Sequence, residues 1–180
     1  MSGTIDKNWK SYVGPADNAR NITDTDWTAP ESPRAYDDLF KCSRVENLTA
    51  RGLEIPASRE DSVDCVRGRD YRFVDCIMHG SVTLKGAITG WLLDRCIIAG
   101  TVEVGQFDNY WYPGRVPTCG GVITHCGTPG GNPIRLKLWD ATPPVVINSE
   151  VEITRIPWLI WFPYFCVRYV LNRNWRYRKL

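Results

Sequence analysis

The chain has 180 residues, room for one substantial domain with terminal arms to spare. Its formal net charge of +2 excludes a basic surface spread along the whole length. Residues 154–180 hold Arg155, Arg168, Arg173, Arg176, Arg178 and Lys179 and no Asp or Glu, so the remainder is net acidic. Eight Trp and eight Tyr are many for this length, and they are expected in arms and loops rather than in the repeats.

Residues 1–38 read as an extended N-terminal arm. Pro15, Pro30 and Pro33, with Asn18, Asn21, Asp24 and Asp26 among them, leave no helical or strand periodicity. Trp9, Tyr12 and Trp27 interrupt that polar background, which predicts an arm that docks on its own solenoid or on a neighbouring subunit, with a flexible leader as the alternative. Met1 to Asn8 is polar and has no apolar core of a signal peptide, so the Asn21 and Asn47 sequons are read as chance.

From Phe40 the chain repeats itself. Residues 75–84 (DCIMHGSVTL) laid over residues 95–104 (RCIIAGTVEV) put Cys76 on Cys96, Gly80 on Gly100 and Val82 on Val102, a period of 20. Short alternating runs punctuated by Gly at that spacing predict a solenoid in which each copy is one coil. A corner format of apolar residue, two corner residues, apolar residue counts the coils. It recurs at Ala50-Arg51-Gly52-Leu53, Phe73-Val74-Asp75-Cys76, Leu93-Asp94-Arg95-Cys96 and Ile123-Thr124-His125-Cys126. Leu53, Cys76, Cys96 and Cys126 then form a ladder in the core, at spacings of 23, 20 and 30 residues. Alternating pairs supply further strands: Val63 and Cys65, Val82 and Leu84, Val102 and Val104, then Ile134, Leu136 and Leu138. Residues 145–147, with Val151 and Ile153, read as a final coil.

Three short strands and about 20 residues per coil resemble the right-handed parallel β-helix, the architecture of pectate lyases and of many bacteriophage structural proteins and tailspikes. The resemblance spans about residues 40–153. It implies an all-β solenoid of about five coils, a β-helix domain over 39–153 between an arm at 1–38 and a C-terminal segment at 154–180. Regular hexapeptides, which a left-handed β-helix needs, are absent.

The long coil contains an insertion, residues 106–118, and this is the candidate recognition loop. Phe107, Tyr110, Trp111, Tyr112 and Arg115 could stack on a host glycan, anchor a partner protein, or fold down on their own solenoid. The C-terminal segment begins with an uncharged run, residues 156–167, in which Trp158, Trp161, Phe162, Tyr164 and Phe165 form a candidate cap or interface. The run is short for a membrane span of about 20 residues, and Pro163 interrupts it. Contact with a membrane surface or insertion into another protein are its other readings. Nucleic acid is not expected as a partner: six basic residues at one terminus suit lipid headgroups or an acidic protein as well.

Catalytic motifs are not found. Asp75 and Asp94 fall out of register as a carboxylate pair; Arg95 occupies the place stacked against Asp75, which reads as an ion pair or as plain corner solvation. Asp61, Asp64 and Asp70, mixed with Arg59, Arg67 and Arg69, read as a solvated face. His79 and His125 lack a nucleophile and a third orienting group, and they read as bend and corner residues. Cys119, His125 and Cys126 lack the Cys-x2-Cys spacing of a zinc site. No metal, cofactor or catalytic residue is therefore expected, and an odd total of seven cysteines, with Cys76, Cys96 and Cys126 at equivalent places in successive coils, predicts reduced core thiols rather than a disulfide framework. The resemblance implies a non-enzymatic virion component, a capsid decoration, spike or tail protein assembled in a reducing host cytoplasm. Its expected partners are other virion proteins and copies of itself, as a trimer. A carbohydrate-binding or carbohydrate-cleaving β-helix and a membrane-surface protein held by residues 156–180 are the competing readings.

Overall fold

The computed structural model describes residues 20–23, 38–58, 60–105, 120–139 and 141–156. They form a right-handed parallel β-helix of about five coils, with three sheets that each coil visits in turn. The first sheet stacks β1 (Arg20–Thr23), β3 (Leu48–Arg51), β6 (Arg72–Val74), β9 (Leu92–Asp94), β12 (Val122–Thr124) and β14 (Val145–Ile147). The second holds β4 (Glu54–Ile55), β7 (Ile77–Met78) and β10 (Ile97–Ile98), extended by a bridge from Ile97 to Gly127. The third stacks β2 (Phe40–Glu46), β5 (Asp61–Arg69), β8 (Ser81–Thr89), β11 (Thr101–Val104), β13 (Ile134–Trp139) and β15 (Val151–Ile156).

The period of two in each strand sends alternate side chains inward, and register places like upon like. The first sheet contributes the column Ala50, Phe73, Leu93, Ile123 and Val146. The third contributes Phe40, Val63, Val82, Val102, Leu136 and Ile153. Each coil alone buries nothing. Stacked, the large side chains that these columns bury are worth about 1.5–3 kcal/mol apiece in removal from water, so the core exists only as a column. Leu53, Cys76, Cys96 and Cys126 are all buried along the second sheet.

The corner format has a backbone cause. Gly52, Asp75, Arg95, His125 and Asn148 all adopt left-handed conformations, with φ of 68°, 55°, 52°, 52° and 47°. Such a residue costs an L-amino acid about 1–2 kcal/mol. Repetition offsets it. Each corner amide donates to the carbonyl preceding the corner in the next coil: Gly52 to Val74, Asp75 to Asp94, Arg95 to Thr124 and His125 to Ile147, at 2.9–3.0 Å. A second left-handed column, Asn47, Asp70, Gly90 and Gly120, turns the chain from the third sheet into the first.

Three features depart from the sequence reading. Residues 20–23, assigned there to the arm, form β1 and pair in parallel with β3, so the arm's backbone docks on its own solenoid at this point. The last strand runs to Ile156, three residues past the expected boundary. Tyr71 and Trp91 are buried in successive coils, although aromatic residues were expected in arms and loops.

Candidate functional site on the outer face of the third sheet

Alternation puts Asp64, Thr83, Glu103 and Lys137 in one outward-facing column of the third sheet. An outward column of a bare solenoid is wet. Here Asp64 is fully buried, Thr83 is 1% exposed and the neighbouring outward Val66 is 6% exposed. The reading of Asp61 and Asp64 as a solvated face therefore fails at Asp64, because side-chain alternation reports direction and not what lies over the sheet.

Burial of charge is tolerated when a partner is at hand, and the stacking supplies one. Lys85, from the coil after Asp64, places Nζ 2.9 Å from its Oδ1. Lys137 repeats the arrangement one coil beyond Glu103, with Nζ 3.0 Å from Oε1, and the Trp139 indole N–H donates to Glu103 Oε2 at 3.0 Å. Each acid is thus neutralised by a lysine of the following coil.

Asp61, at the start of β5, is the exception. Burial pushes its carboxyl up from 3.8 to about 6, against a hydrogen bond from Thr83 that favours the ionised form. The charges of Asp38 and Asp64 push the same way as burial, and Lys85 opposes them. The cluster thus places a carboxyl that is half neutral near pH 6 in the neighbourhood of an ion-paired one.

The corner column carries a second, exposed set of charges. Arg95 Nε lies 2.6 Å from Asp75 Oδ1, and Arg51 reaches Asp75 Oδ2 at 3.3 Å. Arg95 also meets Asp94 at 2.6 Å, so Asp75 and Asp94 share a guanidinium and do not face each other as an acid pair. The hydrogen bond from Arg95 holds the Asp75 carboxyl below its ordinary range. His79 pairs with Glu54 at 2.9 Å, and His125 is held by Thr124 and Asn148.

Among the described residues, Cys42, Cys65, Cys76, Cys96 and Cys126 are free thiols, and no group of three or more His, Cys, Asp or Glu is arranged to hold a metal ion. No helix among them is long and apolar enough to cross a membrane. The recognition loop (Phe107, Tyr110, Trp111, Tyr112, Arg115) and the cap or interface residues (Trp158, Trp161, Phe162, Tyr164, Phe165) lie outside the described residues. The buried Asp64 and the raised Asp61 are what sequence reasoning missed. Their only signal was an Asp at each of two positions in a run otherwise typical of a core strand, residues 61–66.

Fold and site together define a β-solenoid scaffold with a polar outer sheet. No family model matches the chain, and comparison with curated proteins and with solved structures finds no match.

Proposed function

We propose that the chain is a non-enzymatic virion structural protein, a capsid decoration, spike or tail component in which the solenoid is a rigid shaft and the terminal segments bind neighbours. The observation that carries this reading is the pairing of charge across coils. Asp64 with Lys85, Glu103 with Lys137 and Asp75 with Arg95 each tie one coil to the next, which suits mechanical stiffness better than turnover of a substrate. The resemblance of the repeat to phage β-helices supports it.

Solution mass tests the reading. Sedimentation of the full chain is expected to give a trimer, about three times 20.5 kDa, held at low micromolar concentration. A monomer at every concentration, with no affinity for particles or for itself, sinks it.

A second reading has one specific observation behind it. Asp61, raised to about 6 by burial at the start of β5, has the protonation behaviour of a general acid in carbohydrate cleavage. Full chain incubated near pH 6 with neutral and acidic polysaccharides should then release reducing ends, and Asp61→Asn should abolish the release. Absence of release from every polysaccharide leaves the structural reading.

A further inference from the structure

Burial sets the Asp64–Lys85 pair apart from the other ion pairs that link one coil to the next among the described residues. Asp64 has no exposed surface, and the Lys85 side chain is 16% exposed, against 42% for Lys137 in the otherwise similar pair with Glu103. Asp64 stands in register with Thr83 and Val66 with Lys85, so the amine reaches diagonally back across two strands to place Nζ 2.9 Å from Asp64 Oδ1. A register shift between Asp61 and Val63 lets Asp61 meet Thr83 through a side-chain hydrogen bond, which sets a second carboxyl beside the pair. Burial raises that carboxyl to about 6, so this face disfavours an ionised acid.

A buried amine and a buried carboxyl have an alternative to facing each other as ions. One proton passed from Nζ to the carboxylate makes both groups neutral without exchange with solvent, and a neutral amine is a nucleophile. The carboxyl carbon lies one bond beyond the oxygen that Nζ already contacts, which is the neighbourhood a reacting pair requires. We propose that the Lys85 amine and the Asp64 carboxyl condense in the folded chain to an amide, a covalent bond that ties the coil of β5 to the coil of β8. Nζ bonds to Cγ of Asp64 and the bond from Cγ to the protonated oxygen breaks. Nζ passes a second proton to that oxygen, which departs as water, and the amide nitrogen keeps one hydrogen. Nothing is oxidised or reduced, and the net charge does not change. In water such a condensation is opposed by solvation of the two ions. Here the partners are held together at an effective molarity on the order of 10⁵–10⁸ M, and the carboxyl is shut off from the water that would reverse the reaction. Lys137 and Glu103 lack that second condition and stay an ion pair, an internal comparison within one chain. The inference needs only the two stacked coils and does not depend on the virion reading.

Mass spectrometry of the full chain tests it. The purified chain is expected to be lighter than its sequence requires by one water molecule. Trypsin should then yield residues 60–67 joined to residues 73–95, with Lys85 uncut, while residues 96–115 and 136–155 are not joined. Lys85→Arg, which keeps the charge and removes the amine, should restore the full mass and abolish the joined peptide. A parent chain that keeps its full mass after prolonged incubation, and releases residues 60–67 and 73–85 as separate peptides, overturns the proposal. Loss of water without the joined peptide overturns it in favour of a cyclic imide elsewhere in the chain. Equal joining of Lys137 to Glu103 overturns burial as the deciding condition. The parent-chain outcomes stand even if Lys85→Arg fails to fold, and none of them bears on sedimentation or on the polysaccharide assay.

Discussion

Gly121 is stacked on the indole of Trp91. A Cβ placed at Gly121 would fall 1.9 Å from Trp91 Cε2 and 2.0 Å from Cζ2, while the Val122 amide donates to the Trp91 carbonyl at 2.9 Å. The ring occupies the volume a side chain would need, and the backbone ladder prevents the coils from separating to make room. Gly121→Ala is expected to destabilise the protein by about 2–3 kcal/mol in urea unfolding. Trp91→Leu, made in the same chain, should recover part of that loss, with a coupling of at least about 1 kcal/mol between the two positions. Additive effects would mean that the contact does not limit packing there.

Asp61 gives the stability a pH dependence of known sign. Its carboxyl is raised from 3.8 to about 6 in the folded chain, so folding favours the protonated form. That advantage is complete below about pH 4 and is lost as pH rises through about 6. Asp61→Asn should therefore stabilise the protein at pH 7.5 by about 1–3 kcal/mol, after allowance for partial exposure, and change little at pH 4. Denaturant midpoints at the two pH values check this, and equal effects at both would remove burial as the cause.

The corner column predicts an inverted substitution order at His125. Its φ of 52° is strained for any side chain branched at Cβ. Its ring bonds, to Thr124 Oγ1 at 2.9 Å and Asn148 Nδ2 at 2.8 Å, are exposed. His125→Gly is expected to stay within about 0.5 kcal/mol of the parent, and His125→Val to cost about 1–2 kcal/mol. Thermal unfolding of the two variants decides it, and a less stable Gly variant would show that the ring bonds outweigh the backbone.

The core thiols among the described residues should be silent until the stack opens. Cys65, Cys76 and Cys96 have no exposed surface, and Cys42 Sγ lies 3.3 Å from Cys65 Sγ. Burial pushes the Cys65 thiol well above its ordinary range, and the neighbouring Cys42 adds to the effect. Iodoacetamide at pH 9 is expected to leave these residues unmodified in the native chain and to alkylate them at the rate of unfolding. Rapid stoichiometric modification of Cys65 under native conditions would contradict a closed core.

The coils were legible because repetition writes the same constraint several times. Cys76, Cys96 and Cys126 answer one another, and so do the corners at Asp75, Arg95 and His125, because each coil must present the same inward and left-handed positions. What occurs once was hidden. β1 is four residues, Arg-Asn-Ile-Thr, that join the sheet through backbone hydrogen bonds, which any sequence can make. Asp64 obeys the alternation of an outward residue and is nonetheless buried, since only the packed molecule decides what covers a face. Trp91 needed Gly121, 30 positions later, and neither residue announces the other.

The stack has a first coil, with β1 laid on β3, and a last one, with β14 and β15 outermost in their sheets, and this sets an order in time. A ribosome releases the residues of β1, β2 and β3 before those of β14 and β15, so the covered end is complete while the last coil is still unmade. Each later coil then has an already synthesised coil to stack on, and a chain interrupted during synthesis would end on an unpaired coil edge.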